Sequence, residues 1–246
     1  GGLHASAVAR SADLYEHVQP NTVGNGTRVV VSEMAGRSTL AMKAAELGLE
    51  LDGEVIGRVL DELKHLENEG YHFEVADGSL ELLLRRASGW VSDFFTVESF
   101  RVITDHGARR DVQADVDADA DAHIDTGPTP SPDVLFGVTT EATVKVHVGA
   151  DRVVATAEGN GPVNALDGAL RGAIGPKFPA LEHIHLTDYR VRVLDTGRGT
   201  GAITRVLVDS TDGARTWTTI GVSENIIEAS WQALYDSIVF GLLHAG

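Results

Sequence analysis

One pattern is written twice along the second half of this chain, and it narrows the fold more than any other feature. A single constant offset lays Asn164-Ala165 over Glu228-Ala229 and Ala169-Leu170 over Ala233-Leu234. Alternating stretches precede each copy: Ala142–Val148 and Arg152–Ala157 before the first, Ile203–Asp209 and Thr216–Val222 before the second. Alternation with period two marks strands that put one face on a core, and the pattern changes to helical spacing after Gly161 and from Asn225. Each unit gains a preceding strand, Phe94–Ile103 in the first, broken at Asp105-His106-Gly107, and Tyr189–Leu194 in the second. The reading is βββα twice: an α+β fold of two units related by a pseudo-twofold, with helices on one face of antiparallel sheets.

The first third predicts helices instead. Ser38 to Gly48 reads as a short helix ended by glycine. Asp52 can cap a longer one, whose apolar positions Val55, Val59, Leu60, Leu63 and Leu66 recur at helical spacing until Glu69-Gly70. Asp77 or Ser79 opens a third through Leu80, Leu83 and Leu84. These are packing stripes and carry no chemistry by themselves. The apolar run Ile226 to Leu243 holds Glu228, Gln232 and Asp236, so it reads as a buried or interface helix and not as a membrane span.

Between the strands of the first unit, residues 111–133 hold seven aspartates, three prolines and neither lysine nor arginine. Such a segment cannot bury enough apolar surface to offset its ordering entropy, which predicts a flexible acidic insertion. DVDADADAHID lacks the glycine and the terminal glutamate of an EF-hand loop. Over the whole chain 36 acidic side chains face 20 basic ones, a formal charge of −16, which disfavours nucleic acid and anionic membrane surfaces as partners. With no cysteine, disulfides and thiolate metal sites are excluded, and a reducing cytoplasm fits. No basic-then-apolar secretory signal stands at the start, and the opening GGLHASAV without methionine suggests a processed product or a piece of a longer protein.

The stretch EGNGPVNALDGAL, Glu158 to Leu170, holds the main candidate for chemistry. Asn160 can cap the helix, Gly161 lets the backbone come close, and Pro162 suits the first turn. Open N–H groups and the helix dipole favour an anion there. A Walker loop and a dinucleotide fingerprint both fail on the residues present, which leaves a tight strand-to-helix turn or another anion's site. The repeat offers a second helix start at Val222-Ser223-Glu224-Asn225. His183 and His185 resemble a metal pair, but without an acid on the same face they read as a surface pair, and no metal site is expected. His4 and Tyr15 can move a proton or donate to an oxyanion, against a purely structural alternative.

Several long motifs in order then resemble a known family. GGLHASAV, YEHVQPNTVGN, VSEMAGRSTL, LKHLENEGYHFE and SLELLLRR run as they do after the catalytic barrel of citramalate synthases. EGNGPVNALDGALR, DYRVRVLD, GTGAITRVLVDS and WTTIGVSENIIEASWQALYDS are similar to the C-terminal regulatory domain shared with 2-isopropylmalate synthases. YEHVQPNTVGN and EGYHFE point to the citramalate branch. The resemblance covers nearly everything except the acidic insertion.

It implies helical linker subdomains over residues 1–91, following a TIM barrel that this stretch does not include, and an allosteric dimerisation domain over residues 92–246. The parent enzyme is implied to be a cytoplasmic homodimer that joins acetyl-CoA to pyruvate, with a divalent metal (Mg, Mn or Zn) held in the barrel. No cofactor is implied for these residues, which are expected to be inactive alone. His4 and Tyr15 match residues that assist the partner subunit's barrel. Gly159, Asn160, Gly161, Pro162 and Ala165 match positions tied to feedback control by isoleucine, or by leucine in the sister enzyme. Tyr189, Ile226 and Ile227 join them as weaker effector-binding candidates. A free-standing amino-acid-binding module with no catalytic partner is the competing reading.

Overall fold

In a computed structural model, the described residues are 36–108 and 136–245. His4, Tyr15 and the acidic insertion lie outside them.

Three helices come first: α1 (Arg37–Glu46), α2 (Gly53–Glu69) and α3 (Asp77–Ala87). Asp52 caps α2 as its spacing predicts, its carboxylate accepting from the Glu54 and Val55 amides at 2.9 and 2.8 Å. Gly70 ends the helix at φ 114°, a left-handed conformation in which a side chain is strained. Ile56, Val59 and Leu63 from α2 meet Leu80, Leu83 and Leu84 from α3 in one core.

The repeat is real in three dimensions. Strands β1 (Thr96–Ala108), β2 (Phe136–Val148) and β3 (Asp151–Gly159) form one antiparallel sheet in that order, followed by α4 (Pro162–Ile174). Strands β4 (His185–Val193), β5 (Thr204–Thr211) and β6 (Thr216–Ser223) form a second, followed by α5 (Ile226–Leu243). In β2 the buried set is Thr140, Ala142, Val144, Val146 and Val148; in β5 it is Thr204, Val206, Val208 and Ser210. Each set alternates, as a strand with one covered face must. Helix α4 lays Ala165, Leu166, Ala169, Leu170, Ala173 and Ile174 on the first sheet. Each such aliphatic side chain, fully buried, contributes about 1.5–3 kcal/mol if it is as large as Val, Leu or Ile.

One expectation fails. β1 is not broken at Asp105-His106-Gly107, because β2 starts at Phe136 and pairs with it through to Ala108. A neighbouring strand supplies hydrogen-bond partners that outweigh local glycine and aspartate propensity.

Helix α5 is buried on more than one side. It covers β5 and β6, and α3 packs against it from elsewhere. That double cover explains why its sequence is apolar almost all round. The edge strand β6 is managed by the same neighbours. The Thr218 amide donates to Asp77 Oδ1 at 2.9 Å, the Ile220 amide to Ser79 Oγ at 3.1 Å, and the Val222 amide to Gln232 Oε1 at 3.1 Å. Three alternate N–H groups of this helix-covered edge are thus satisfied by side chains of α3 and α5.

Candidate functional site

The first helix start differs from its expected form. Gly161 occupies the capping position in an extended conformation, and Asn160 does not cap. Instead Asn164, one turn inside α4, reaches back and accepts from the Asn160 amide at 3.1 Å. That bond satisfies the Asn160 amide just before the helix and leaves the first-turn amides of α4 without a side-chain cap. Gly159 meanwhile lies close against α4. A Cβ on Gly159 would fall 2.5 Å from the Ala165 nitrogen and 2.6 Å from Asn164 Oδ1. Gly161, by contrast, has nothing within 4 Å of where a Cβ would stand. The close approach therefore belongs to Gly159, and Gly161 faces open space.

The second helix start is closed by its own residue. Asn225 Oδ1 accepts from the Ile227 amide at 2.9 Å and from the Glu228 amide at 3.4 Å. The two repeats are thus alike in topology and unlike at the one place where an anion could sit. The first turn of α4 carries no such side-chain cap.

Beside that open start is a cleft of about 580 Å³ between α4 and the beginning of β4. Val163, Asn164, Asp167 and Arg171 form the α4 wall, and Ile184, His185, Leu186 and Tyr189 the other. The polar wall is internally ordered: Arg171 Nε donates to both Asp167 oxygens at 2.8 and 2.9 Å, and Arg171 Nη1 donates to the Leu181 carbonyl at 3.0 Å. The Tyr189 hydroxyl lies 2.7 Å from Ser230 Oγ. Asp167 and Arg171 on the α4 wall, with Val163, Ile184 and Leu186 as aliphatic lining, suit a small ligand that is charged at one end and apolar at the other.

Of the residues expected at this site, Tyr189 lines the cleft. Ala165 is fully buried in the core, and Gly159 is pressed against α4. Ile226 is exposed at the first position of α5, and Ile227 packs partly buried against the main core. Val163 and Asn164 fall within the glycine-rich stretch read as the candidate site, whereas Asp167 and Arg171 were not named for it. The i+4 spacing of Asp167 and Arg171 was the signal that could have found that pair. His183 ends a 3-10 turn, Pro179–His183, while His185 opens β4, so they do not share a strand. Among the described residues no cluster of three or more His, Cys, Asp or Glu could hold a metal ion.

A second cavity, about 750 Å³, lies between the N-terminal helices and α5. Tyr71, Phe73, Trp231 and Tyr235 supply its aromatic walls, with Arg86 and Asp236 among the charged residues. Burial pushes the Asp236 carboxyl above its ordinary range, against the opposing pull of Arg86 and the Ser79 hydroxyl. Burial likewise raises Tyr71, helped by the charges of Asp236 and Glu69.

Residues 134–241 match the model of the LeuA allosteric (dimerisation) domain, a span that includes the open helix start, the cleft and most of α5. The chain carries a LeuA-type allosteric domain. Residues 1–71 match a second model, the homocitrate synthase post-HMGL domain-like family. Around the LeuA-type domain the whole chain is similar to enzymes named (R)-citramalate synthase. It is 46% identical to that of Streptomyces coelicolor over 248 residues, which covers 100% of this chain and 42% of the relative. It is 44% identical to that of Aquifex aeolicus, covering 99% and 42%, and 32% identical to that of Sulfolobus acidocaldarius, covering 98% and 40%. The chain therefore spans about two fifths of the length of these relatives. Among the described residues no helix is long and apolar enough to cross a membrane.

Proposed function

We propose that these residues are the regulatory and dimerisation portion of an (R)-citramalate synthase, and that the cleft beside α4 binds the end-product amino acid. The observation that carries the reading is the conjunction of an uncapped helix start with a cleft lined by the Asp167–Arg171 pair and by the aliphatic Val163, Ile184 and Leu186, inside the LeuA-matched segment. A carboxylate would meet the first-turn amides of α4, Asp167 would take the ammonium, and an aliphatic side chain would lie against Val163 and Leu186. The effector in this reading is isoleucine, with leucine the alternative if the parent belongs to the 2-isopropylmalate branch.

The parent would join acetyl-CoA, pyruvate and water to give citramalate and CoA, as a cytoplasmic homodimer with a divalent metal in its barrel. His4 and Tyr15 would assist the partner subunit's barrel. Support for this parent comes from relatives that bear the citramalate synthase name. By itself the portion described here is expected to be inactive.

Calorimetric titration of the chain with isoleucine, leucine and valine tests the reading. Tightest binding by isoleucine supports it, and tightest binding by leucine moves the parent to the sister branch. Absence of binding by all three overturns the effector assignment.

A further inference from the structure

Helix α5 presents two opposed faces to two different neighbours. Successive residues of an α-helix turn by about 100°, so Ser230, Ser237 and Gly241 fall within about 20° of one line, while Glu228, Gln232 and Asp236 lie roughly 160–240° away. The first face packs on the second sheet and on two residues that also line the cleft. Ser230 Oγ holds the Tyr189 hydroxyl at 2.7 Å, and a Cβ on Gly241 would lie 2.5 Å from Ile184 Cδ1, so Ile184 closes directly on the helix backbone. Tyr189 and Ile184 both line the cleft.

The opposite face meets the N-terminal helices. Gln232 Oε1 accepts from the Tyr71 hydroxyl at 3.0 Å. Asp236 accepts from Ser79 Oγ at 2.8 Å and from Arg86 Nη2 at 2.7 Å. Farther along, His244 Nε2 lies 2.9 Å from Glu81 Oε1. The same helices are tied to the second sheet through Asp77 with the Thr218 amide and through Arg205 Nε with the Gly70 carbonyl.

The cleft, in contrast, spans the two units, with α4 on one side and β4 on the other. A shift of the second unit that closed the cleft would act on α5 and, through the bonds above, on the N-terminal helices. We infer that the Tyr71–Gln232 and Ser79–Asp236–Arg86 contacts are coupling contacts: they transmit occupancy of the cleft to the N-terminal helices and take no part in holding the effector. This rests on the cleft's being the effector site.

The test combines calorimetry with amide hydrogen exchange on the full chain, using isoleucine, leucine and valine in turn as probes. Tyr71→Phe deletes one of the two proposed contacts and Asp236→Asn weakens the other, with little change of shape, and melting curves verify that each variant folds. If Asp236→Asn does not fold, Tyr71→Phe and Arg86→Met carry the experiment. In the unmutated chain, ligand is expected to slow exchange across residues 66–87. The variants are expected to bind within about threefold of the unmutated affinity while losing at least about fivefold of that slowing. Two results overturn the inference: bound ligand that leaves residues 66–87 unchanged in the unmutated chain, or variants that keep the full response. Should none of the probes bind the unmutated chain, the effector reading fails first and takes the inference with it.

Discussion

The Tyr189 hydroxyl and Ser230 Oγ, 2.7 Å apart, join the edge strand of the second sheet to the opening turns of the last helix. Ser230 also donates to the Ile226 carbonyl at 2.6 Å, so its hydroxyl keeps a partner if the tyrosine loses its own. Tyr189→Phe is therefore expected to cost only about 1 kcal/mol of stability, the net worth of one hydrogen bond. Its effect on the cleft should be larger, because the ring would no longer be fixed in place. Thermal melting and isoleucine titration measure the two separately. Unchanged affinity in the phenylalanine variant removes Tyr189 from the site.

Gly159 and Gly161 are two residues apart and are expected to respond in opposite ways. Gly159→Ala drives a methyl group against the Ala165 nitrogen at 2.5 Å, and neither backbone can yield without moving α4 off its sheet. Overpacking of this kind costs about 1–3 kcal/mol. Gly161→Asp points into open space and leaves the fold intact, yet it places a negative charge where the effector's carboxylate would approach. A lowered melting temperature for the first variant and lost isoleucine binding with unchanged melting for the second are the expected results. Equal melting temperatures for all three proteins would contradict the packing described here.

The pH dependence of stability carries a mark of Asp236. Its folded-state carboxyl titrates above the ordinary value, chiefly through burial. A raised carboxyl binds its proton more readily in the fold than in the unfolded chain. Its stabilising contribution is thus complete below the unfolded value and is lost as pH rises through the folded one. Asp236→Asn lacks this loss. The stability difference between the unmutated chain and Asp236→Asn should therefore shift toward the asparagine variant as pH rises through and beyond the ordinary carboxyl range, about 4. Denaturant melts at several pH values record it, and a constant difference across that range would exclude the raised carboxyl.

Asp77 tests how the edge of the second sheet is closed. Its carboxylate takes the Thr218 amide at 2.9 Å, and alanine there leaves that edge N–H without a partner. A cost of about 1–3 kcal/mol is expected, the penalty for an unsatisfied and partly buried donor. Hydrogen exchange read at Thr218 should accelerate relative to strand β5, which remains paired on both sides. If Thr218 exchanged no faster in Asp77→Ala, the side chain would not be what protects the edge.

Much of the architecture was legible in the residues themselves. Asp52 and Gly70 bound α2 because a capping carboxylate and a left-handed glycine act within one turn of chain. The two βββα units were readable because alternation and helical spacing are local periodicities, and their repetition at one offset made each copy a check on the other. The LeuA-type domain followed from long motifs in order, and the relatives bear it out.

What the chain alone could not fix were the contacts between residues far apart in sequence. Asp77 and Ser79 read as helix openers, and their carboxylate and hydroxyl in fact serve amides some 140 positions away. Asn160 read as the cap, and in the fold its side chain caps nothing while its own amide donates to Asn164 Oδ1. Periodicity and capping are decided by neighbours a few residues apart, so the sequence by itself determined the elements, their order and the repeated topology. A cleft is bounded by whatever the folded chain brings together from different elements. Only the tertiary structure, by setting α4 against the start of β4 and α5 between the cleft and the N-terminal helices, decided which side chains face it and which helix lies behind it.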